Sequence, residues 1–257
     1  MVGRMLPTER ESRILALLTG TQGRSVHELA EALAVSMATL RRDLADMERR
    51  HLLTRVHGGA TLTPARRVEP LFAAKETENR EAKERIARAA LALVEEHDTI
   101  YLDGGSTVLM LARLLPPHRD LTVVTNSLMA ASALMEAGHR LILVGGEYRA
   151  LARTLVGPLT AHVIRALNVN RAFMGTIGLT VAEGMTTTDT NEAFTKEQIM
   201  KRATQVILLA DHTKIGVPSF TCSGRIEDID TLITDQIGDS FREALEGHGV
   251  EVILAGP

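Results

Sequence analysis

The amino-acid sequence predicts two domains of different class: a small α+β head, followed by an α/β domain with a mainly parallel sheet. Three observations lead to this prediction. Residues 25–62 follow the order helix, tight turn, helix and Gly-Gly hairpin. Residues 63–75 contain two prolines and no apolar periodicity, which is typical of a linker. From residue 76 onward, apolar β-branched runs alternate with helical patterns, which favours parallel strands joined by helices. We therefore expect a head over residues 1–62 and a second domain over residues 76–257.

The helices of the head are predicted from their capping residues. Ser25 and Glu28 form an S-x-x-E capping box, so a helix should begin at Val26. Ser36 is a favourable N-cap for the next helix. An earlier helix over residues 9–18 should complete a small core. The inward face of the helix after Ser36 is formed by Leu40, Leu44 and Met47. The closing hairpin should turn at His57, Gly58 and Gly59.

A helix, a turn, a second helix and a wing place the N-terminus of the second helix in the major groove of DNA. Arg41 and Arg42 lie outside the apolar face of that helix, and taken alone two such arginines are more often solvated than bound to phosphate. The charge distribution favours DNA, because residues 1–67 hold 11 Arg, no Lys and 7 acidic residues, a net charge of +4, whereas the whole chain carries −3. The predicted DNA-binding residues are Ser36, Met37, Thr39, Arg41, Arg42, Arg55 and His57.

Composition excludes several other classes of protein. A hydrophobic content of 45% fits a protein with a buried core. There is no run of about 18 apolar residues and no apolar signal segment at the N-terminus, so we expect no membrane span and a cytoplasmic protein. The single cysteine, Cys222, excludes an intramolecular disulfide and a cysteine-rich zinc site. The nine histidines lack metal-ligand spacing, so we expect neither a metal nor a cofactor.

The loops that follow the predicted strands are the candidate ligand site, because ligands bind at the carboxyl ends of parallel strands. The loop over residues 103–107, DGGST, can direct backbone N–H groups and hydroxyls at a phosphate from a helix N-terminus. An ordinary strand-to-helix turn is an equally good interpretation of that loop alone. Arg149 and Lys214, in later loops, favour an anionic ligand, and the hydroxyl-rich loops favour a polyol.

Two sets of motifs then resemble one known family. Residues 35–60, VSMATLRRDLADMERRHLLTRVHGGA, resemble the signature of the deoxyribonucleoside-repressor (DeoR) family of bacterial transcription regulators. In the second domain, DGGST, TNS, GGEYR, GTIGL, NEAFTKEQIMKRA and ADHTKIG are similar, in that order, to the sugar-phosphate-sensing domain of the family. The resemblance implies the fold that ribose-5-phosphate isomerase and the coenzyme-A transferases share. His51 and His97 stand where the family has Gly, and we predict a left-handed backbone at both.

The resemblance also implies which residues meet the ligand. The phosphate end would be formed by Asp103, Gly104, Ser106 and Thr107. The sugar end would be lined by Asn126, Gly146, Arg149, Glu192, Lys196 and Lys214. The same loops add Gly105, Gly145, Gly175 and Gly178 to the predicted effector site. Asn79 and Lys83 keep the family spacing N-x-x-x-K, and they fit a solvated helix face as well as an interdomain or effector contact.

The leading hypothesis is a DNA-binding repressor of a carbohydrate-metabolism operon, relieved by a phosphorylated sugar. The alternative is a sugar-phosphate isomerase with an accessory head, in which Asp103, Glu192, Lys196 and Lys214 would supply the acid–base groups. An arginine-rich head has no use in an isomerase, so we expect a protein that is not an enzyme. We also expect a homo-oligomer, a dimer or tetramer joined through the α/β domain, because one small head offers little contact area on operator DNA.

Overall fold

The chain forms two compact units, residues 1–66 and residues 67–257. The computed structural model describes residues 7–18, 23–49, 53–56, 58–61, 69–115 and 120–256. The predicted linker over residues 63–75 is therefore too long at its C-terminal end. Residues 69–75 belong to the second unit, where Glu69, Phe72 and Lys75 are buried. The sequence placed them in a linker because the two prolines conceal a short buried segment.

The head contains three helices and a small antiparallel sheet. Its elements are α1 (Pro7–Leu18), β1 (Arg24–Ser25), α2 (Val26–Ala32), α3 (Met37–Arg49), β2 (Thr54–Val56) and β3 (Gly59–Thr61). The predicted capping box is confirmed, because the Glu28 N–H donates to Ser25 Oγ and the Ser25 N–H donates to Glu28 Oε2. The Thr39 N–H donates to Ser36 Oγ over 3.1 Å, which confirms Ser36 as the cap of α3.

A single apolar cluster holds the head together. The predicted inward face of α3 is buried, and Ile14, Leu18 and Leu29 pack against it from α1 and α2. A bidentate ion pair between Arg10 and Asp43 also joins α1 to α3, with nitrogen–oxygen distances of 2.8 and 3.1 Å. The hairpin has a third strand that the sequence did not predict, since β1 pairs with β3. The wing is therefore tied to the start of α2.

The second unit is an α/β domain, as predicted. Its helices are α4 (Phe72–Thr77), α5 (Arg80–Leu91), α6 (Ser106–Leu114), α7 (Leu128–Leu134), α8 (Thr160–Ile164), α9 (Thr190–Met200) and α10 (Asp239–Gly247). Its strands are β4 (Thr99–Leu102), β5 (Thr122–Thr125), β6 (Arg140–Leu143), β7 (Glu147–Arg149), β8 (Thr154–Val156), β9 (Val169–Met174), β10 (Gly178–Thr180), β11 (Gly184–Thr187), β12 (Ala203–Leu209), β13 (Thr221–Gly224), β14 (Thr231–Thr234) and β15 (Glu251–Leu254).

Seven parallel strands form the central sheet, in the order β15-β14-β12-β9-β4-β5-β6. Side chains alternate between its two faces, so Ile100 and Leu102 join one apolar cluster while Tyr101 joins the other. Residues of α5, α6 and α7 cover the first face, and residues of α8, α9 and α10 cover the second. Because helices cover both faces of the central sheet, its strands appear in the sequence as nearly continuous apolar runs.

Two smaller antiparallel sheets accompany the central one, and the sequence analysis missed both. β7 pairs with β8, and β11 lies between β10 and β13. Their strands are three or four residues long and carry glycine, threonine or charged residues in place of apolar runs. Strands this short leave no clear periodicity in a sequence. They nevertheless matter, because residues of β8 and the loop before β10 line the ligand cleft described below.

Two consecutive helices stand at the start of the second unit. α4 ends at Thr77, and α5 begins after Asn79, which has a left-handed backbone with φ of 52°. Asparagine is one of the few residues that tolerate this region without a large steric penalty. His97 also has a left-handed backbone, with φ of 67°, as predicted from its place in the family pattern. His51 lies outside the described residues.

The segment of residues 69–77, here called the anchor segment, is attached to the second unit by buried ion pairs. Lys75 Nζ lies 2.6 Å from Glu69 Oε1, and Arg149 Nη2 lies 2.5 Å from Glu69 Oε2. The Thr188 hydroxyl donates to the same carboxylate. Burial by itself raises the pKa of Glu69, but the hydrogen bond from Arg149 and the charge of Lys75 outweigh it and lower the pKa from 4.5 to about 2.

No helix in the described part of the chain is both long and apolar enough to cross a membrane.

The lowered pKa of Glu69 predicts an acid-labile contribution to stability. Because the folded-state value, about 2, lies below the ordinary value of 4.5, the contribution is complete above pH 4.5 and disappears as the pH falls towards 2. Glu69→Gln should lower the free energy of unfolding by about 3 kcal/mol at pH 7, since it leaves buried Lys75 without its counter-ion and removes one of the three carboxylates around Arg149. Urea denaturation at a series of pH values should find this difference shrinking between pH 4.5 and 2.

Glu76→Gln is the matched control, because Glu76 pairs with Arg113 at a partly exposed position on the same segment. This variant should cost less than about 1 kcal/mol. A difference between wild type and Glu69→Gln that stays constant down to pH 2 would contradict the assignment.

Candidate functional site

A cleft lies over the carboxyl ends of four adjacent central strands, β4, β5, β9 and β12. Here called the central cleft, it is lined by Glu69, Lys75, Lys83, Asp103, Gly104, Gly105, Ser106, Thr107, Val108, Asn126, Ala152, Thr154, Gly175, Thr176, Ile177, Glu192, Lys196, Leu209, Ala210, Asp211 and Lys214. The structure therefore brings together ten of the fourteen effector-binding residues that the sequence predicts. They are Asp103, Gly104, Gly105, Ser106, Thr107, Asn126, Gly175, Glu192, Lys196 and Lys214.

One wall of the cleft is the loop that leads from β4 into α6. Gly105 has φ of 132°, a conformation that L side chains rarely adopt, and α6 begins at the next residue, Ser106. Gly104 allows a close approach, because a Cβ there would lie 2.3 Å from Thr154 Cγ2. The loop thus places the hydroxyls of Ser106 and Thr107 and the N-terminus of α6 on the cleft, an arrangement that binds anions.

A buried ion pair lies at the floor of the cleft. Lys196 Nζ donates to the Asp103 carboxylate and, over 2.9 Å, to the carbonyl oxygen of Gly175. Glu192 Oε1 lies 3.6 Å from the same ammonium, one helical turn away on α9. Burial opposes the charge on Lys196, but the neighbouring carboxylates of Asp103 and Glu192 outweigh it and raise its pKa. Burial raises the pKa of Glu192, and Lys196 and Arg149 only partly offset that effect.

Arg149 lies behind this floor and does not line the cleft. Its guanidinium contacts three carboxylates: Glu69 at 2.5 Å, Glu192 at 3.1 Å and Asp189 at 3.5 Å. The structure thus places Arg149 outside the cleft lining, and its contact with the ligand stays a prediction. Its charge is already committed to acidic side chains, and it holds Glu69 and Glu192 in the cleft wall.

Several buried polar atoms of the cleft have no hydrogen-bond partner within the described protein. They are Asn126 Oδ1, Thr154 Oγ1 and Asp211 Oδ2. Asn126 uses its Nδ2 to donate to the carbonyl oxygen of Leu155 over 3.1 Å, so its remaining atom is an acceptor. Two of the three atoms accept hydrogen bonds and the third is a hydroxyl. Because buried polar groups are almost always paired, they fit a ligand that is rich in hydroxyl donors.

Lysines give the cleft its positive charges. Lys83 is 2% exposed and donates to the carbonyl oxygens of Lys75 and Glu78, so the solvated-face interpretation of Lys83 is wrong. Burial lowers its pKa, and the charge of Lys214 adds to the effect. Asn79 donates to Asp211 Oδ1 over 3.3 Å, which fixes the start of α5 against the cleft.

Three of the predicted glycines lie outside the cleft. Gly145 and Gly146 follow β6, which is the edge strand of the sheet and stands beyond the four strands that carry the site. Gly178 begins β10 in a separate sheet, where a Cβ would lie 1.9 Å from the carbonyl oxygen of Val217. Close backbone packing accounts for glycine at positions 146 and 178, and ligand contact at the three glycines stays a prediction.

The sequence analysis missed other cleft residues. Glu69 and Lys75 lay in the segment expected to be a linker, and Thr154 lies in a strand that was not predicted. A charged residue between two prolines carries no periodic signal, so nothing in the local sequence of Glu69 marks it as buried. Among the described residues, no group of three or more His, Cys, Asp or Glu side chains is placed to hold a metal ion.

In the head, Arg41 and Arg42 are exposed on α3, and Ser36 and Met37 are exposed at its start. Thr39 is half-buried, and its hydroxyl lies 2.9 Å from Ser36 Oγ. The two wing residues that the sequence predicts to bind DNA are Arg55 and His57. Arg55 is exposed and pairs with Glu48 at 3.8 Å, whereas His57 lies outside the described residues.

Comparison with known proteins gives consistent matches along the chain. The family described as "DeoR-like helix-turn-helix domain" matches residues 10–65, and the family described as "DeoR C terminal sensor domain" matches residues 78–236. The solved structure of ribose 5-phosphate isomerase A from Methanocaldococcus jannaschii has a TM-score of 0.40 and 18% identity, over 54% of this chain and 55% of that one. So distant a likeness says nothing about activity.

Two curated relatives align over almost their whole length. The HTH-type transcriptional regulator GlpR of Haloferax volcanii is 38% identical over 97% of this chain and 98% of its own. The glycerol-3-phosphate regulon repressor of Escherichia coli K12 is 33% identical over 97% of this chain and 100% of its own. With both family matches and these full-length alignments, the chain belongs to the DeoR family of helix-turn-helix transcriptional regulators.

Proposed function

We propose that this protein represses a carbohydrate-metabolism operon and leaves its operator when a phosphorylated sugar binds in the central cleft. The observation that carries the proposal is the combination, in one cleft, of an anion-binding helix N-terminus, buried lysines and unpaired hydrogen-bond acceptors. A phosphorylated polyol has the matching groups, since its phosphate is an anion and its hydroxyls are donors.

The head supplies the DNA-binding surface in this proposal. Its exposed arginines on α3 lie near the N-terminus of the helix, which is the end that enters the major groove in helix-turn-helix proteins. The relatives support the ligand class. The E. coli relative is named for glycerol 3-phosphate, which is itself a phosphorylated polyol.

We further propose that the working form is a homo-oligomer assembled through the second unit. Specific operators for such heads contain repeated half-sites, and two heads are needed to read them. Analytical ultracentrifugation at the concentrations that saturate an operator tests this part. A monomer with full operator affinity would exclude it.

An enzymatic function is the second candidate, because Asp103, Glu192 and Lys196 lie close together in a buried site. Such a cluster resembles the acid–base groups that an isomerase needs. We favour binding without turnover, because Lys196 is paired with two carboxylates. Incubation of the protein with aldose phosphates, followed by detection of ketose phosphates, distinguishes the two functions.

The DNA-binding prediction concerns Arg41 and Arg42. Replacing either with Ala should weaken operator binding by about 1–3 kcal/mol if it contacts a guanine edge, or lower the salt dependence if it contacts phosphate. The melting temperature should hardly change, because both side chains lie outside the core of the head. Fluorescence anisotropy with a duplex selected from a random pool by the wild-type protein measures the loss.

Arg88→Ala is the control, since Arg88 is an exposed arginine on α5 in the second unit. It should leave operator affinity unchanged. If the Arg41 and Arg42 variants both bind the selected duplex like the wild type, α3 does not dock in the way proposed.

The ligand prediction concerns Gly104. Gly104→Val should displace Thr154 from the cleft wall and obstruct the loop before α6. The added side chain also blocks the approach of a phosphate to the N-terminus of α6, so the phosphorylated sugar needed for half-release should rise by about tenfold or more, with operator affinity retained. The measurement is operator release titrated with glycerol 3-phosphate, pentose 5-phosphates and hexose phosphates.

Gly145→Val is a matched control, because an added Cβ at Gly145 has no neighbour within 4 Å and the residue does not line the cleft. This variant should respond like the wild type. A folded Gly104→Val protein that is released at wild-type concentrations would place the phosphate elsewhere.

A further inference from the structure

Glu69 has two structural features that the proposed function does not explain. It lines the central cleft, and it is the first described residue after residues 62–68, which join it to the last strand of the head. Its side chain is 1% exposed, so its carboxylate is held by protein groups and not by water. A residue close in sequence to the start of the second unit therefore forms part of the cleft wall.

A continuous series of charges runs from Glu69 into the floor of the cleft. Arg149 bonds Glu69 on one side and contacts Glu192 at 3.1 Å on the other. Glu192 lies beside Lys196, which bonds Asp103 at the end of β4. A change at one charge of this series also affects its neighbours. Each charge is stabilised by the next, in surroundings with little water to compensate.

Lys75 connects the same carboxylate directly to the cleft. Its ammonium lies 2.6 Å from Glu69 Oε1, and Lys75 is itself a lining residue. An anionic ligand in the cleft attracts this ammonium and thus competes with Glu69 for it. A ligand group that binds Glu192 changes, in the same way, how Arg149 divides its contacts between Glu192 and Glu69.

From these contacts we propose that Glu69 is a positioning residue that couples occupancy of the central cleft to operator release. A ligand that alters the Lys75 and Arg149 partners of Glu69 shifts the start of the anchor segment, which lies at the end of the second unit that is covalently joined to the head. Its differential affinity for the two arrangements sets the size of the response. This inference rests on the proposed function, and it adds the route by which the ligand acts.

The test is a comparison of coupling with binding in Glu69→Gln. Operator dissociation constants are measured by anisotropy on the selected duplex, without and with glycerol 3-phosphate, ribose 5-phosphate, fructose 1-phosphate and glucose 6-phosphate. In the wild type, at least one probe should raise the dissociation constant about tenfold. In Glu69→Gln, the same probe should change it less than about twofold while still raising the melting temperature.

Glu76→Gln serves as the control, because it removes an ion pair from the anchor segment without touching the cleft. It should be released like the wild type. If Glu69→Gln does not fold, Thr188→Val replaces it, since that change removes only a hydroxyl that donates to Glu69 and receives a bond from Arg149. Thr188→Val should retain probe binding and respond to the probe less than Glu76→Gln does.

Three results would overturn the inference. Release of Glu69→Gln, or of Thr188→Val in its place, at wild-type strength would remove Glu69 from the coupling. Loss of the probe-induced rise in melting temperature would make Glu69 a ligand-binding residue and not a coupling residue. If no probe releases the wild-type protein, the proposed function fails, and the inference fails with it.

Discussion

An ionised side chain that leaves water must face an opposite charge, and the central cleft depends on this constraint. Arg149 is shared by three carboxylates, and Lys196 by two. These pairs bind the anchor segment to the second unit, set the position of α9 and fix the end of β4. Removal of one partner leaves another charge unpaired, so the cleft wall behaves as one electrostatic unit.

The two units use cations in opposite ways. In the head, Arg41 and Arg42 are exposed on a helix surface, where a positive charge can meet the phosphates of DNA. In the second unit, Lys83 and Lys196 are almost completely buried and are held by carbonyl oxygens or carboxylates. In the proposed function, charge in the head serves a large external polyanion, whereas charge in the cleft serves a small ligand that must be surrounded. The arginines of the head and the lysines of the cleft are all ordinary basic side chains. They differ in how deeply they are buried.

The topology of the sheet decides which strand-end loops take part in the site. β4, β5, β9 and β12 are neighbours in the sheet, so the residues that follow them converge. β6 stands at the edge, and the glycines after it therefore remain outside the cleft. The short strand β8 enters the site although it belongs to a separate hairpin, because its Thr154 packs against Gly104. Adjacency in the sheet, more than residue type, distinguishes cleft residues from similar loops.

The sequence by itself determined the features that depend on local interactions. The Ser25–Glu28 capping box, the Ser36 cap, the apolar face of α3 and the alternation of strands and helices all arise between residues close in the chain, and the structure confirms them. The turn at residues 103–107 between β4 and α6 was also recognisable from its glycines and hydroxyls, and its role in phosphate binding stays a prediction. Only the tertiary structure decided the partners of Glu69, Arg149 and Lys83, and which glycines face the cleft. Those contacts join residues up to 119 positions apart, as between Glu69 and Thr188, and burial and pairing over such separations leave no periodic trace in the sequence.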